Sequence, residues 1–214
     1  MNILTSTDQL GNTIEINFPP QRIISLVPSQ TEFLFDIGLN NEIVAITRFC
    51  IHPEEKVRQK EKIGGTKQFN IEKIKSLNPD LIIGNKEENY EAGIEELKKS
   101  FPVWMSDIYT LEDSYSMMKE ISRIVNFERE GNQLINQIQT SFSQLRTVNQ
   151  HLPTCCYFIW RKPYMVAANS TFINHLLHLF GARNVFENEE RYPEINPEQL
   201  RELKLDYIFL SSEP

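Results

Sequence analysis

Residues 70–83 and 196–209 can be laid over one another without a gap, and this internal repeat constrains the fold more than any other stretch. NIEKIKSLNPDLII against NPEQLRELKLDYIF keeps Asn70/Asn196, Glu72/Glu198, Leu77/Leu203, Asp80/Asp206 and Ile82/Ile208 identical. Ile74/Leu200 and Lys75/Arg201 are similar. Each copy reads as an Asn cap, a glutamate in the first helical turn, a short helix, then an aspartate leading into an apolar strand. A chance likeness between two βα-rich segments is the competing explanation. A second echo, an apolar helix ending in Gly-x-x-Asn at 38–41 and again at 181–184, favours duplication. Two related α/β lobes are therefore expected.

The chain around the repeat supports that reading. Residues 1–22 form an entry segment with a hairpin around Gly11-Asn12. Apolar runs of strand length follow at 23–27, 43–47, 81–83 and 103–105. They alternate with helical stretches at 33–38, 71–77 and 92–99, and with a polar, exposed helical turn over 54–62. Such alternation predicts a parallel sheet covered on both faces. Ser29 and Glu32 have capping-box spacing, so the first strand should open straight into a helix N-terminus. Its free backbone N–H groups make Ser29 and Gln30 candidate ligand contacts at the usual binding edge of an open α/β sheet. After residue 150 the pattern restarts: a strand at 155–160, a helix at 171–180 closed by Gly181, a short helix at 197–203 and a strand at 207–210. No residues are left for the helix and strand that follow 81–83 in the first lobe. The second sheet is expected to be incomplete, either because the chain is truncated at its C-terminus or because the lobe is naturally trimmed.

Between the copies lies a proline-free helical segment, residues 110–150. Thr110 and Asp113 match a capped start, and Asn126 with Gly131 allows a break, so a short helix to about Val125 and a long one from about Phe127 are predicted. In the second, Leu134, Ile138, Phe142, Leu145 and Val148 form one apolar stripe. Twenty-odd residues at ~1.5 Å rise give a rod of roughly 30–35 Å. A coiled-coil or bundle helix would look the same, but the repeat on either side favours a rigid spine. The expected organisation is an α/β lobe at 1–109, a helical connector at 110–150 and an incomplete α/β lobe at 151–214. The break is where any hinge is expected.

A formal net charge of −7 and a pI near 5.2 argue against a nucleic-acid or anionic-membrane surface. No apolar run approaches the ~20 residues of a membrane span. The N-terminus has neither a basic n-region nor an apolar h-region, so the chain is either cytoplasmic or lacks its export signal in this sequence. Cys50, Cys155 and Cys156 cannot make a disulfide framework, and buried free thiols are expected. There is no G-x-S-x-G elbow, Walker loop, G-x-G-x-x-G or H-E-x-x-H. Cys50 and His52 are the nearest approach to a metal or thiol site, and a small metal-handling protein or thiol-dependent enzyme using them is the alternative function. His175 and His178, three apart on a helix, suit packing or surface better than ligation.

Aromatic residues cluster at turns beside strand ends: Phe49, Trp160, Tyr164 and Tyr192, with Arg161. They would wall a cleft between the lobes if the two sheets point their carboxyl ends at each other, and such walls suit a bulky organic ligand. At this point the sequence resembles the helical-backbone (class III) substrate-binding proteins of ABC importers, which carry cobalamin, haem and iron–siderophore complexes. The motifs are RIISLVPSQTE at 22–32, N-I-E-x-I-x-x-L-x-P-D-L-I-I at 70–83, the long spine, and Ile159-Trp160 leading to NPEQL at 196–200. The resemblance runs from about residue 10 to the end and is strongest to the cobalamin-binding branch. It implies a non-catalytic, monomeric receptor outside the inner membrane that clamps a metal chelate, has no cofactor of its own and docks on a permease. In that branch aromatics wedge the ligand at the positions of Phe49, Trp160 and Tyr192. Two more aromatic positions are Thr66 and Asn85 here, small and polar. Docking uses one glutamate per lobe, matching Glu72 and Glu198.

Overall fold

The computed structural model describes residues 2–145 and 152–211. Val148 and His151, and the predicted end of the spine at 146–150, lie outside the described residues. The chain divides into two compact units, 1–107 with 115–137, and 108–114 with 138–214. It passes from one unit to the other within each of the two spine helices, α5 (Leu111–Ile124) and α6 (Glu128–Ser143).

The first unit is a five-stranded parallel sheet. Its strands are β3 (Ile23–Ser25), β4 (Ile43–Ile46), β5 (Glu61–Lys62), β6 (Leu81–Asn85) and β7 (Val103–Ser106), in the order β5-β4-β3-β6-β7. Helices α1 (Pro28–Asp36), α2 (Glu54–Val57), α3 (Ile71–Leu77) and α4 (Glu91–Lys98) make the crossovers. Ile24, Leu26, Ala45, Ile63, Ile74, Ile82, Leu97 and Val103 form one buried cluster, so the apolar strand runs are central because both faces are covered. The two-residue β5 is absent from the sequence reading, which took 54–62 as helical. Its residues Glu61 and Lys62 have no apolar signature and pair with β4 through backbone alone. Nor does the predicted Ser29–Glu32 capping box form. Val27 occupies the N-cap without a side-chain hydrogen bond, and Pro28 takes the first helical position, where its missing N–H costs nothing.

An antiparallel hairpin, β1 (Asn2–Thr7) with β2 (Thr13–Phe18), precedes the sheet and is tied to α5. Ser6 donates to Glu120 Oε1 at 2.5 Å, Arg123 forks onto both Glu120 oxygens, and Arg123 also donates to the Thr5 carbonyl at 3.3 Å. The Arg123 guanidinium, together with the Ser6 hydroxyl, holds the Glu120 carboxyl below the usual range against the opposing effect of burial. A depressed folded-state pKa contributes stability that is present above the unfolded value near ~4.3 and is lost as pH falls through the folded one. Glu120→Gln should therefore cost about 1 kcal/mol at neutral pH. It should cost much less once the pH has fallen through the depressed folded-state pKa, where the native carboxyl is protonated as well. Urea titrations of both proteins across that range measure the difference.

The second unit repeats the first in miniature. β8 (Thr154–Trp160) is flanked in parallel by β10 (Arg183–Asn184) and β11 (Tyr207–Leu210), and β9 (Met165–Val166) folds back antiparallel on β8. α7 (Phe172–Leu179) leads to β10 and α8 (Pro197–Glu202) to β11. The order β10-β8-β11 thus matches β4-β3-β6. The match extends to individual hydrogen bonds. The Asp80 carboxylate accepts from the backbone N–H of Gln21 and Arg22 at the start of β3, while Asp206 accepts from Thr154 N–H and hydroxyl at the start of β8. Each aspartate's own N–H returns to the same strand, to the Arg22 and Thr154 carbonyls. The helix ends agree too. Gly38 and Gly181, both at positive φ, donate to Phe35 and His178, and the next residues, Leu39 and Ala182, donate to Leu34 and Leu177. Two independent sets of bonds at equivalent residues support duplication over chance.

In the second unit β11 has β8 on one side and no second strand partner among the described residues, whereas its counterpart β6 also pairs with β7. Tyr207, Ile208, Phe209 and Leu210 are 57%, 52%, 41% and 73% exposed, against full burial for Leu81 and Ile82.

The spine breaks where expected. α5 starts with reciprocal bonds between Thr110 and Asp113, and the break at 125–127 has Asn126 in the left-handed region. It is not a loose joint. Phe127 N–H donates to Ser122 O at 2.8 Å, and the Phe127 ring packs over Gly38, where a Cβ would come within 3.2 Å. Gly131 continues α6 and is buried against Ser122. Of the apolar stripe, Leu134, Ile138 and Phe142 are half-buried and Leu145 is exposed. The buried line is Gly131–Ile135, which a count of apolar side chains misses because glycine has none.

Candidate functional site

In the first unit, the residues singled out from sequence lie beyond the carboxyl ends of successive strands: Ser29 after β3, Phe49 after β4, Thr66 after β5 and Asn85 ending β6. Ser29 is exposed, but Gln30 is buried, and its amide donates to Ser106 Oγ at 2.6 Å and Gly84 O at 3.3 Å. Asn85 donates to the same hydroxyl at 2.9 Å, and its own Oδ1 accepts from the backbone N–H of Glu87 and Glu88. Asn89 then connects Asn85 N–H to the Leu26 and Thr66 carbonyls. Gln30, Thr66 and Asn85 thus share one buried polar network, with Ser106 and Asn89 at its centre. Sequence reasoning missed those two, because a lone Ser at a strand end and an Asn in a loop carry no motif. The network shapes this edge of the sheet and leaves Phe49, 48% exposed, as its apolar surface. The Arg48 guanidinium lies 4.9 Å from the Phe49 ring centre, and the ring closes against Gly65.

Cys50 is buried just behind Phe49, with Thr31 and Thr47 hydroxyls each 3.2 Å from its sulfur. His52 is exposed. Among the described residues no three His, Cys, Asp or Glu side chains are gathered as a metal site would require. Cys155 and Cys156 are fully buried in β8, and burial pushes the Cys156 thiol up to about 11. A thiol held that far above neutral pH is a poor nucleophile.

In the second unit a cavity of about 760 Å³ opens at the carboxyl ends of the neighbouring strands β8 and β11. Phe158, Ile159, Trp160, Arg161, Lys162, Tyr164, Leu210 and Ser211 line it, so Trp160, Arg161 and Tyr164 from the sequence reading share one cavity. The volume is that of a typical small-molecule site. Trp160 is 56% exposed, and its indole N–H donates to the Lys162 carbonyl at 2.9 Å, which pins the ring across the β8–β9 turn. On the other flank Ile195 N–H donates to the Tyr164 carbonyl at 2.9 Å, and Tyr164 meets Phe158 edge to face at 5.9 Å. The turn is therefore braced from both sides. Tyr192 is not among the cavity-lining residues. It is half-buried on the segment that runs beside β9, with the Arg191 guanidinium 5.9 Å from its ring and 5.7 Å from that of Tyr109.

The paired glutamates occupy equivalent places. Glu72 is in the first turn of α3, behind the Asn70 cap, whose Oδ1 accepts from Lys73 N–H at 2.9 Å. Glu198 is in the first turn of α8, and its own N–H donates to Asn196 Oδ1 at 3.0 Å. Both side chains are exposed, Glu72 with a 3.4 Å contact to Lys75. That contact is secondary for the lysine, which is closer to Glu96 at 3.1 Å.

Two parallel α/β sheets of matching order, with helices α5 and α6 between them in sequence, form the arrangement that comparison with known proteins recognises. A family model described as periplasmic binding protein matches residues 23–213. The chain belongs to that family. Among curated periplasmic binding proteins it is 28% identical over 197 residues to the vitamin B12-binding protein of Vibrio vulnificus, covering 90% of this chain and 72% of that one. Among solved structures the periplasmic vitamin B12 binding protein of Vibrio cholerae superposes with a TM-score of 0.82 at 27% identity, covering 92% of this chain and 78% of that one. A periplasmic heme binding protein from Pseudomonas aeruginosa reaches 0.81 at 21% identity over 89% of this chain and 71% of its own, which is a likeness of fold. No helix among the described residues is long and apolar enough to cross a membrane.

Proposed function

We propose that this periplasmic binding protein is the non-catalytic substrate-binding receptor of an ABC importer, taking a corrinoid or a related metal chelate such as haem or a ferric siderophore. The cavity at the carboxyl ends of β8 and β11 carries the reading. It is walled by large apolar side chains, contains a braced and exposed indole, and offers no nucleophile–base pair among its described lining residues. Its volume and lining suit a flat or bulky organic complex held by contact area rather than by covalent chemistry. The vitamin B12-binding relatives support a corrinoid in particular. Phe49, Tyr192, Ser29, Gln30, Thr66 and Asn85 are assigned to the ligand-shaping surfaces of their units. For Gln30 and Asn85 that role is indirect, through the Ser106 network. The receptor works outside the inner membrane as a monomer.

The experiment is a titration of the purified protein against corrinoids, haem and ferric siderophores, read by tryptophan fluorescence. One-to-one binding of at least one of these is expected, and no binding across the whole panel would refute the receptor function. Glu72 and Glu198 are assigned to permease docking, because both are exposed at equivalent positions of the two copies. Each also complements its helix N-terminus, an effect of ~0.3–1 kcal/mol. The double variant Glu72→Ala/Glu198→Ala should bind ligand normally and fail to support uptake. Undiminished uptake would count against docking.

A further inference from the structure

We infer that Arg191 is a positioning residue for ligand binding: its guanidinium, held between the rings of Tyr109 and Tyr192, fixes the Tyr192 ring in the ligand-facing surface of the second unit. This rests on the receptor reading above, in which Tyr192 belongs to that surface, and adds a residue that acts on the ligand only through Tyr192.

Among the described residues four that are not glycine have positive φ. Asn78 and Asn126 lie at a helix end and at the spine break, and asparagine enters that region readily. Ser170, at 56°, and Arg191, at 59°, lack that tolerance, and they lie on neighbouring segments of the second unit. A long side chain on a left-handed backbone is strained, and such strain persists only where the surroundings over-determine it. At Arg191 those surroundings can be named. Its N–H donates to the Asn169 carbonyl and its carbonyl accepts from Ala168 N–H, both at 2.8 Å. On either side, Asn169 N–H donates to the Glu189 carbonyl at 3.0 Å and Val166 N–H to the Pro193 carbonyl at 3.2 Å. Tyr192 therefore sits in the middle of a segment that is bonded along its neighbour.

Those bonds fix the backbone of Tyr192 and leave its ring free to turn about the side-chain torsions. The guanidinium supplies the missing restraint. Its carbon is 5.9 Å from the Tyr192 ring centre and 5.7 Å from that of Tyr109, and Nη1 donates to the Tyr109 hydroxyl at 3.3 Å. A planar guanidinium can stack on an aromatic face and still donate hydrogen bonds, a combination that the point charge of an ammonium lacks. Tyr109 is anchored in turn, because its N–H donates at 3.1 Å to the Asp113 carboxylate that caps α5. All of these residues belong to the second unit. The stack thus runs from the capped head of α5 to the Tyr192 ring, so the ring is ordered on folding and loses little freedom when a ligand arrives. That accounts for an arginine at a position where glycine would fit without strain: glycine relieves the backbone but braces no ring.

The test titrates cyanocobalamin, haem and a ferric catecholate siderophore against the native protein, Arg191→Ala, Arg191→Gly, Tyr192→Ala and Arg191→Ala/Tyr192→Ala, with thermal unfolding of each. Arg191→Ala and Arg191→Gly should both bind about three- to tenfold more weakly than the native protein. Arg191→Gly should nevertheless unfold at a higher temperature than Arg191→Ala, because glycine removes the strain. Affinity and stability then move apart, which a merely structural role does not allow. In the Tyr192→Ala background, Arg191→Ala should cost no further affinity, since the ring it holds has gone. Native affinity in either single Arg191 variant, or an undiminished loss from Arg191→Ala in the Tyr192→Ala background, overturns the positioning role and leaves the receptor standing. A native protein that binds none of the three ligands overturns the receptor reading and the positioning role with it.

Discussion

Gly131→Ala should destabilise the protein by about 2 kcal/mol, and Gly131→Val by more, although alanine is the better helix former. A Cβ at this position would lie 1.8 Å from Ser122 Oγ and 2.5 Å from Ser122 Cβ. The hydroxyl can rotate away but the Cβ cannot, so α5 and α6 must move apart where Ser122 meets Gly131. Overpacking of this kind costs ~1–3 kcal/mol, and contacts this short belong at the upper end, so about 2 kcal/mol remains after the ~1 kcal/mol gained in helix propensity. For a chain of this size 2 kcal/mol corresponds to a fall in melting temperature of roughly 4–8 °C. Ser122→Gly is the diagnostic partner. By itself it should also destabilise, since it removes the bond to the Met118 carbonyl at 2.7 Å and puts glycine inside a helix. In that background Gly131→Ala should become neutral or stabilising. A reversal of sign in the double-mutant cycle, measured by urea unfolding, would locate the cost in the Ser122 contact rather than in glycine itself. Additive effects would refute this account.

Trp160→Ala should weaken ligand binding by roughly 30–100-fold while leaving the melting temperature nearly unchanged. The ring is more than half exposed, so truncating it removes little from the folded core. If a bound chelate covers roughly 100 Å² of the indole, the loss at ~25 cal/mol/Å² is about 2.5 kcal/mol. Trp160→Phe keeps most of the apolar wall but not the bond to the Lys162 carbonyl, so it should fall between the two. The fluorescence of the two tryptophans separates the effects. Trp104 is fully buried in β7, so quenching by direct contact with the ligand belongs to Trp160 and should be lost in Trp160→Phe, which leaves only long-range energy transfer from Trp104 to the chelate. Wild-type affinity in Trp160→Ala would show that this cavity is not the binding site.

Much of the fold was legible in the linear chain because its strongest signals are local. Ile23, Ile24, Ile43, Ile46, Ile82 and Val103 form continuous apolar runs that only a doubly covered strand can bury. Asn70 and Thr110 carry their caps within three or four residues of themselves. The failures have physical causes as well. The Ser29–Glu32 spacing gave way to Pro28, which already supplies a start for α1. β5 and β10 are two-residue strands, too short for any periodicity to register.

Of the candidate site, the sequence alone identified the aromatic turn at Trp160–Tyr164, because large apolar residues at a turn are anomalous wherever they occur. It also determined the duplication, since Asp80 and Asp206 mark equivalent starts of a strand in any pair of copies. The tertiary structure decided the rest. Gln30 was a candidate ligand contact from its place at a helix mouth, yet its amide is spent on Ser106, seventy-six positions away. Ser106 and Asn89 became part of the site only when β6 and β7 came side by side. That no carboxylate among the described residues pairs with Arg161 or Lys162 is likewise a tertiary fact. A charge in a sequence is just a charge, and whether it is neutralised depends on which carboxylates the folded chain brings within a few ångströms.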